Sequence, residues 1–268
     1  MASKTTSRIA SLLVAITCGF SGPNSAFSMA IVDEGNILVN FTDFFFRDGG
    51  GNSTDSVTVG TDDDFSVVSD VEIGNASAET TGSAQACNLA TCGIISIFPL
   101  QISTSATANA PALSRGVGAG HAEGALTFTN TSDTDLTIGF FLEADVDWGE
   151  LRADNPADET AQLSWVVRFD YEGAVTEVVN KLASGDGDGV SVEDFCPGDF
   201  PNDICSVRKS FKGFSLPAGA TRTLRGVAEL TAFTEVRGVP EPATLSLAAL
   251  LLAAMRLTRC RRPRGESR

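Results

Sequence analysis

The chain has 268 residues, 43 % apolar and 20 % charged, which is a globular composition long enough for one large domain or two small ones. Its 34 Asp and Glu outweigh 19 Lys and Arg for a formal net charge of −15, and between residues 31 and 238 the balance is steeper, 32 carboxylates against 11 bases. A phosphate backbone would be repelled by that stretch, so nucleic acid is excluded as a partner, and the sole histidine, His121, excludes a catalytic tri-histidine zinc centre.

At the amino end, Lys4 and Arg8 precede an apolar run over residues 9–20, then the helix breakers Gly22 and Pro23, then small residues at Ala26, Ser28 and Ala30. This order of charge, apolar core and small residues is that of a secretory signal peptide cut by signal peptidase after Ser28 or Ala30, the first being preferred, so residues 1–28 are assigned to it. The run is short for spanning a hydrocarbon layer of about 30 Å. Thr17 fits poorly before a lipidated Cys18, which ranks simple secretion above a lipoprotein.

Residues 29–238 show stretches of period-two alternation rather than helical periodicity. Strands are expected over 36–46, 94–102, 125–130, 135–142, 163–171, 174–180, 206–216 and 221–233. The turn-rich segment 130–134 suggests a hairpin between the third and fourth of these, with Leu126 and Phe128 on one arm and Leu136, Ile138, Phe140 and Leu142 on the other. Leu163, Trp165, Val167 and Phe169 share one face of their strand and read as core, and Leu216-Pro217-Ala218-Gly219 is a turn into the last strand. The small polar stretches 77–83 and 103–110 read as surface loops, and 145–161 as the long loop best suited to function. The expected fold is all-β: an antiparallel sandwich, immunoglobulin-like or jelly-roll, flanked by an N-terminal signal helix and a C-terminal membrane helix.

Three groups of side chains carry candidate chemistry. With Cys18 and Cys260 in the terminal segments, the exported domain keeps Cys87, Cys92, Cys196 and Cys205, an even number that implies two disulfides in an oxidising compartment. The pairing Cys87 with Cys92 and Cys196 with Cys205 is favoured because each brackets a short loop, and neither spacing is the two-residue knuckle of a zinc ribbon. Asp186 and Asp188, in the Asp/Gly run 184–194, resemble part of an EF-hand or dockerin calcium loop, although Phe195 stands where a bidentate carboxylate would close it. A solvated turn is the competing reading. Glu143, Asp145 and Asp147 lie two apart, so an extended backbone places all three on one face beside Trp148. They resemble the Glu-x-Asp-x-Glu strand of laminarinase-type glycosidases, with Asp147 in the place of the acid/base Glu; shortening that arm retracts the proton donor. An acidic strand end or a second cation site at Asp145 and Asp147 is the expectation. No enzyme and no resident cofactor are expected, calcium being the ion these acidic residues would take and a four-thiolate zinc site the rival reading of the cysteines, and His121 is taken as a surface or packing residue at a strand start.

The carboxyl end reads Val239-Pro240-Glu241-Pro242, then an apolar run over 243–255, then Arg256, Arg259, Arg261, Arg262 and Arg264. In that order the three parts resemble the PEP-CTERM sorting signal of exosortase-bearing bacteria, covering residues 239–268. Two prolines hold an extended segment outside the bilayer, the short helix stops transfer, and the arginines keep the tail cytoplasmic. The 13 residues from Ala243 to Met255 make only about 20 Å of helix, so Arg256 must snorkel. The resemblance implies an exosortase as processing enzyme, transient residence in the inner membrane, and delivery to the cell surface or extracellular matrix. There a structural or adhesive sandwich would meet cations or polysaccharide. A secreted glycan-active hydrolase and a calcium-dependent lectin-like module are the alternatives.

Overall fold

The structure, a computed structural model, describes residues 29–84, 98–110, 112–155, 157–186, 189–192 and 204–237. Residues 1–28 and 238–268, with Cys87, Cys92, Cys196 and Asp188, lie outside the described residues. Among the described residues twelve strands follow in chain order: β1 (Met29–Arg47), β2 (Val57–Ile73), β3 (Ala76–Ala84), β4 (Phe98–Asn109), β5 (Ser114–Asn130), β6 (Leu136–Asp147), β7 (Glu150–Ala153), β8 (Glu159–Tyr171), β9 (Ala174–Asp186), β10 (Gly189–Val192), β11 (Ile204–Leu216) and β12 (Thr221–Val236). They form two antiparallel sheets. The first runs β11-β6-β1-β4-β3, with β7 beside the start of β1, and the second runs β10-β9-β8-β12-β5-β2. The expected all-β sandwich is what the chain builds.

Period-two alternation explains the core. Along β8, Ala161, Leu163, Trp165, Val167 and Phe169 are each at most 1 % exposed, while their neighbours face outward. At one end the core is aromatic: Phe140 lies within 5.7 Å, centroid to centroid, of Phe41, Phe169, Phe211 and Phe214. At the other, Trp148 and Trp165 sit 6.0 Å apart. Both indole N–H groups are buried with no acceptor among the described residues; nothing in the surrounding packing accounts for this.

Toward β2 and β3 the sandwich thins, and the cause is a glycine stripe. Gly116, Gly118 and Gly120 all face inward on β5, where β3 and β4 come close. A Cβ at Gly116 would stand 2.7 Å from the Ser77 carbonyl oxygen and 2.9 Å from that of Thr107. Bulkier partners could not fit opposite Gly116 and Gly118, so β3 and β4 present Ser and Thr there, while Ile102 of β4 fills the space over Gly120. The segments 77–83 and 103–110, expected as loops, are therefore strands packed on that stripe. Polar bonds knit the seam: Thr80 donates to Asp70 at 2.8 Å, the Thr80 and Thr104 hydroxyls meet at 3.1 Å, and the Ala78 amide donates to Glu72 at 3.0 Å.

Three further expectations are corrected. The strands around 130–134 do not form a hairpin, because β5 belongs to the second sheet and β6 to the first. The connection is an arch pinned by Asn130, whose side-chain amide donates to the carbonyls of Thr134, Leu216 and Pro217 at 2.8–3.1 Å. The same side chain thus fixes the second crossing, from β11 to β12. The stretch 145–161 is mostly strand: β6 continues to Asp147, and β7 pairs with residues 30–33 of β1, where β6 has ended. His121 lies in mid-strand on β5 rather than at a strand start.

Candidate functional site

The outer face of the first sheet is mixed, with Leu38 37 % exposed and the Phe141 ring lying among polar side chains, and β6 supplies its acidic row. Glu143, Asp145 and Asp147 project outward from it, opposite Asn40, Leu38 and Asn36 of β1 and Arg208, Ser206 and Ile204 of β11. The shared face expected from their spacing is present. Each of the first two has a partner: Arg208 Nε donates to Glu143 at 2.9 Å with its guanidinium 5.0 Å from the Phe141 ring centroid, and the Ser206 hydroxyl donates to Asp145. Their charge is spent on holding β11 to β6. A sugar-binding cleft would also need an aromatic platform. All of the Trp and Tyr side chains, Trp148, Trp165 and Tyr171, are core residues at most 9 % exposed.

Further along the same face a shallow groove of about 240 Å³ is lined by Asp33, Glu34, Glu79, Thr81, Ser103 and Ser105. It exists because β1 is bulged. Its pairing with β4 slips between Val32 and Gly35, and Glu34 takes a left-handed conformation with φ of 50°. Sequence reasoning missed this groove because its carboxylates come from residues some 45 apart, brought together only when β1, β4 and β3 pair.

The second sheet carries a different outer pattern. On its central strands His121 reaches Glu229 through Nδ1 at 3.4 Å and Glu123 through Nε2 at 3.6 Å. Arg168 closes the chain on Glu229 at 2.6 Å and Arg225 on Glu123 at 3.1 Å. The register makes this row: Glu229 lies opposite His121, and Arg168 opposite Val227. All five side chains are between a quarter and roughly half exposed, so the row is a solvated ladder in which the imidazole lies between two carboxylates, each paired with an arginine.

The remaining site residues are placed as follows. Asp186, described in its backbone, closes the β9–β10 ladder opposite Gly189, and Ser184 pairs with Ser191. That ladder occupies the backbone which an EF-hand or dockerin loop would coil about an ion. Asp188 lies outside the described residues. Among the described residues no three His, Cys, Asp or Glu side chains are grouped to hold a metal ion. Cys205 is 1 % exposed at the start of β11 and disulfide-bonded. Cys87, Cys92, Cys196 and the sorting residues 239–264 lie outside the described residues. Comparison with protein-family models, with curated proteins and with solved structures found no match.

Proposed function

We propose that this is an exported, exosortase-sorted surface protein whose sandwich acts as a structural or adhesive module. In this reading signal peptidase removes residues 1–28, the tail holds the chain transiently in the inner membrane, and an exosortase removes the tail near Pro240-Glu241-Pro242. The domain passes to the cell surface or matrix without a catalytic role, bearing disulfides between Cys87 and Cys92 and between Cys196 and Cys205. The order of Pro-Glu-Pro, short apolar run and arginines carries the assignment of location. For the molecular role the supporting observation is the outer face of the first sheet, where carboxylates and hydroxyls stand around Leu38 and the Phe141 ring while every Trp and Tyr is withdrawn into the core. The carboxylates of this face that are not engaged with β11, Asp33, Glu34 and Glu79 of the groove, suit cations, and its hydroxyls suit a hydroxyl-rich polymer better than a stacked sugar ring. This face weighs against the hydrolase and lectin-like alternatives.

The test is expression with and without residues 239–268 in a host that possesses an exosortase. The full chain should lose its tail and appear at the surface, while the truncated chain should escape that route. Identical display of both, with the tail uncut in the full chain, contradicts the proposal.

A further inference from the structure

The two long strands at the diagonally opposite rims of the sandwich, β2 and β11, carry opposite charge. In each sheet they are terminal, so among the described residues their outer backbone N–H and C=O groups meet no further strand. β2 bears Asp62, Asp63, Asp64, Asp70 and Glu72 and no base. β11 bears Arg208, Lys209 and Lys212 and no acid. The domain has only 11 bases between residues 31 and 238, so three on one rim strand is a concentration. The other rims are less suited: β10 has four residues, and the Ala78 amide of β3 is already capped by Glu72.

Open strand edges invite pairing with another chain, and charge and bulges ordinarily restrain it. Both devices are present here, and their placement leaves one partner favoured. β2 is regular from Val57 to Val67 and bulged after it; β11 is regular from Ile204 to Lys212 and bulged after it. The acidic triplet 62–64 and all three bases lie in those regular segments. Pairing β2 with β2, or β11 with β11, sets like charges opposite one another, whereas pairing β2 with β11 matches them. In an antiparallel register with Asp63 opposite Lys209, Asp64 falls opposite Arg208. The faces also agree, since Asp64 and Arg208 both project outward from their own sheets. Val67 and Val68, 48 % and 65 % exposed, add apolar surface at the same rim.

We propose that β2 of one molecule adds as a strand to β11 of a second copy, joining the second sheet of one to the first sheet of the next. The two surfaces differ, so the contact is head-to-tail and builds a chain of copies rather than a two-fold dimer. Arg208 keeps its contact with Glu143, and Lys209 its bond to the Val178 carbonyl at 2.8 Å; the guanidinium and ammonium have further donors to offer. The contact does not depend on how the protein is exported.

The experiment is analytical ultracentrifugation of the full chain, at low salt and at about 1 M salt, where the screening length falls to about 3 Å. Wild type should form a concentration-dependent series of oligomers, weakened by about tenfold or more in high salt. Two charge-reversed variants, Asp62→Lys/Asp63→Lys/Asp64→Lys and Arg208→Glu/Lys209→Glu/Lys212→Glu, should each be monomeric, and an equimolar mixture should assemble again. Association through the apolar tail would ignore both sets of substitutions and so overturns the proposal, as does a wild type that is monomeric throughout. Should either reversed variant lose its strand circular dichroism, Asp62→Asn/Asp63→Asn/Asp64→Asn replaces it. Assembly of that neutral triple at wild-type strength is likewise contrary to the proposal.

Discussion

Glu235 shows how a single side chain links this fold to pH. It is 8 % exposed on β12, accepts from Arg115 Nε at 2.9 Å, and accepts from Arg237 Nε at 3.1 Å. Those hydrogen bonds, Arg115 first, hold its carboxyl below the ordinary 4.5. A depressed carboxyl stabilises the fold above its unfolded value and ceases to do so as the pH falls through the folded one. Glu235→Gln should therefore cost about 1 kcal/mol at neutral pH, with the difference from wild type shrinking on acidification below pH 4.5 in denaturant melts. Tyr171 gives the opposite sign. Burial pushes its phenol up to about 12, and its hydroxyl donates to the Ser215 carbonyl at 2.7 Å. It is the single tyrosine of the chain, so ultraviolet titration reads it alone. The phenolate should be absent at pH 10 in folded protein, and stability should fall as the pH rises beyond 10. Half-ionisation at pH 10 without unfolding would contradict the burial. At Gly116 the limit is steric: the obstructing atoms are backbone oxygens at 2.7 and 2.9 Å, which cannot swing aside. Gly116→Ala should destabilise by about 2 kcal/mol, lowering the melting temperature by roughly 4–8 °C.

Among the strands, the arches depend on Asn130. One 1 %-exposed side chain donates to three carbonyls and accepts from the Ser132 amide at 2.9 Å, so it ties β5 to β6 and β11 to β12. Asn130→Ala strands those carbonyls in a dry environment and should cost about 3 kcal/mol by chemical denaturation. Arg168→Ala, in the exposed ladder of the second sheet, should cost less than about 1 kcal/mol. The same contrast marks what was legible beforehand. Alternation told which side chains of 126–128, 136–142 and 163–169 enter the core, and they do. It could not tell which sheet a strand joins, because an arch and a hairpin both turn apolar faces inward. The segments 77–83 and 103–110 read as loops since they lack large apolar residues, and only the Gly116–Gly118–Gly120 stripe across the core makes small residues the right filling. β2 escaped notice for a related reason: as a rim strand it is exposed over most of its length, so its pattern is not that of a half-buried strand. Of the candidate site, the row Glu143, Asp145 and Asp147 was legible from spacing alone. The groove at Asp33 and Glu79 was not, since it arises from pairing between strands distant in the chain.

Across the chain as a whole, charge and address fit together. The acid-rich domain between residues 31 and 238 lies between two basic ends, and in the proposed pathway both ends are removed. The exported product is then more acidic than the precursor, which favours solubility and places the bases of β11 among the few positive features left. The most direct test is an intact-mass measurement of the protein recovered from the cell envelope of its own host. The product should begin at Met29 or Ile31, end near Pro240-Glu241-Pro242, and carry its four exported cysteines as two disulfides. An envelope protein that still retains Arg256, Arg259, Arg261, Arg262 and Arg264 would contradict sorting by removal of the tail.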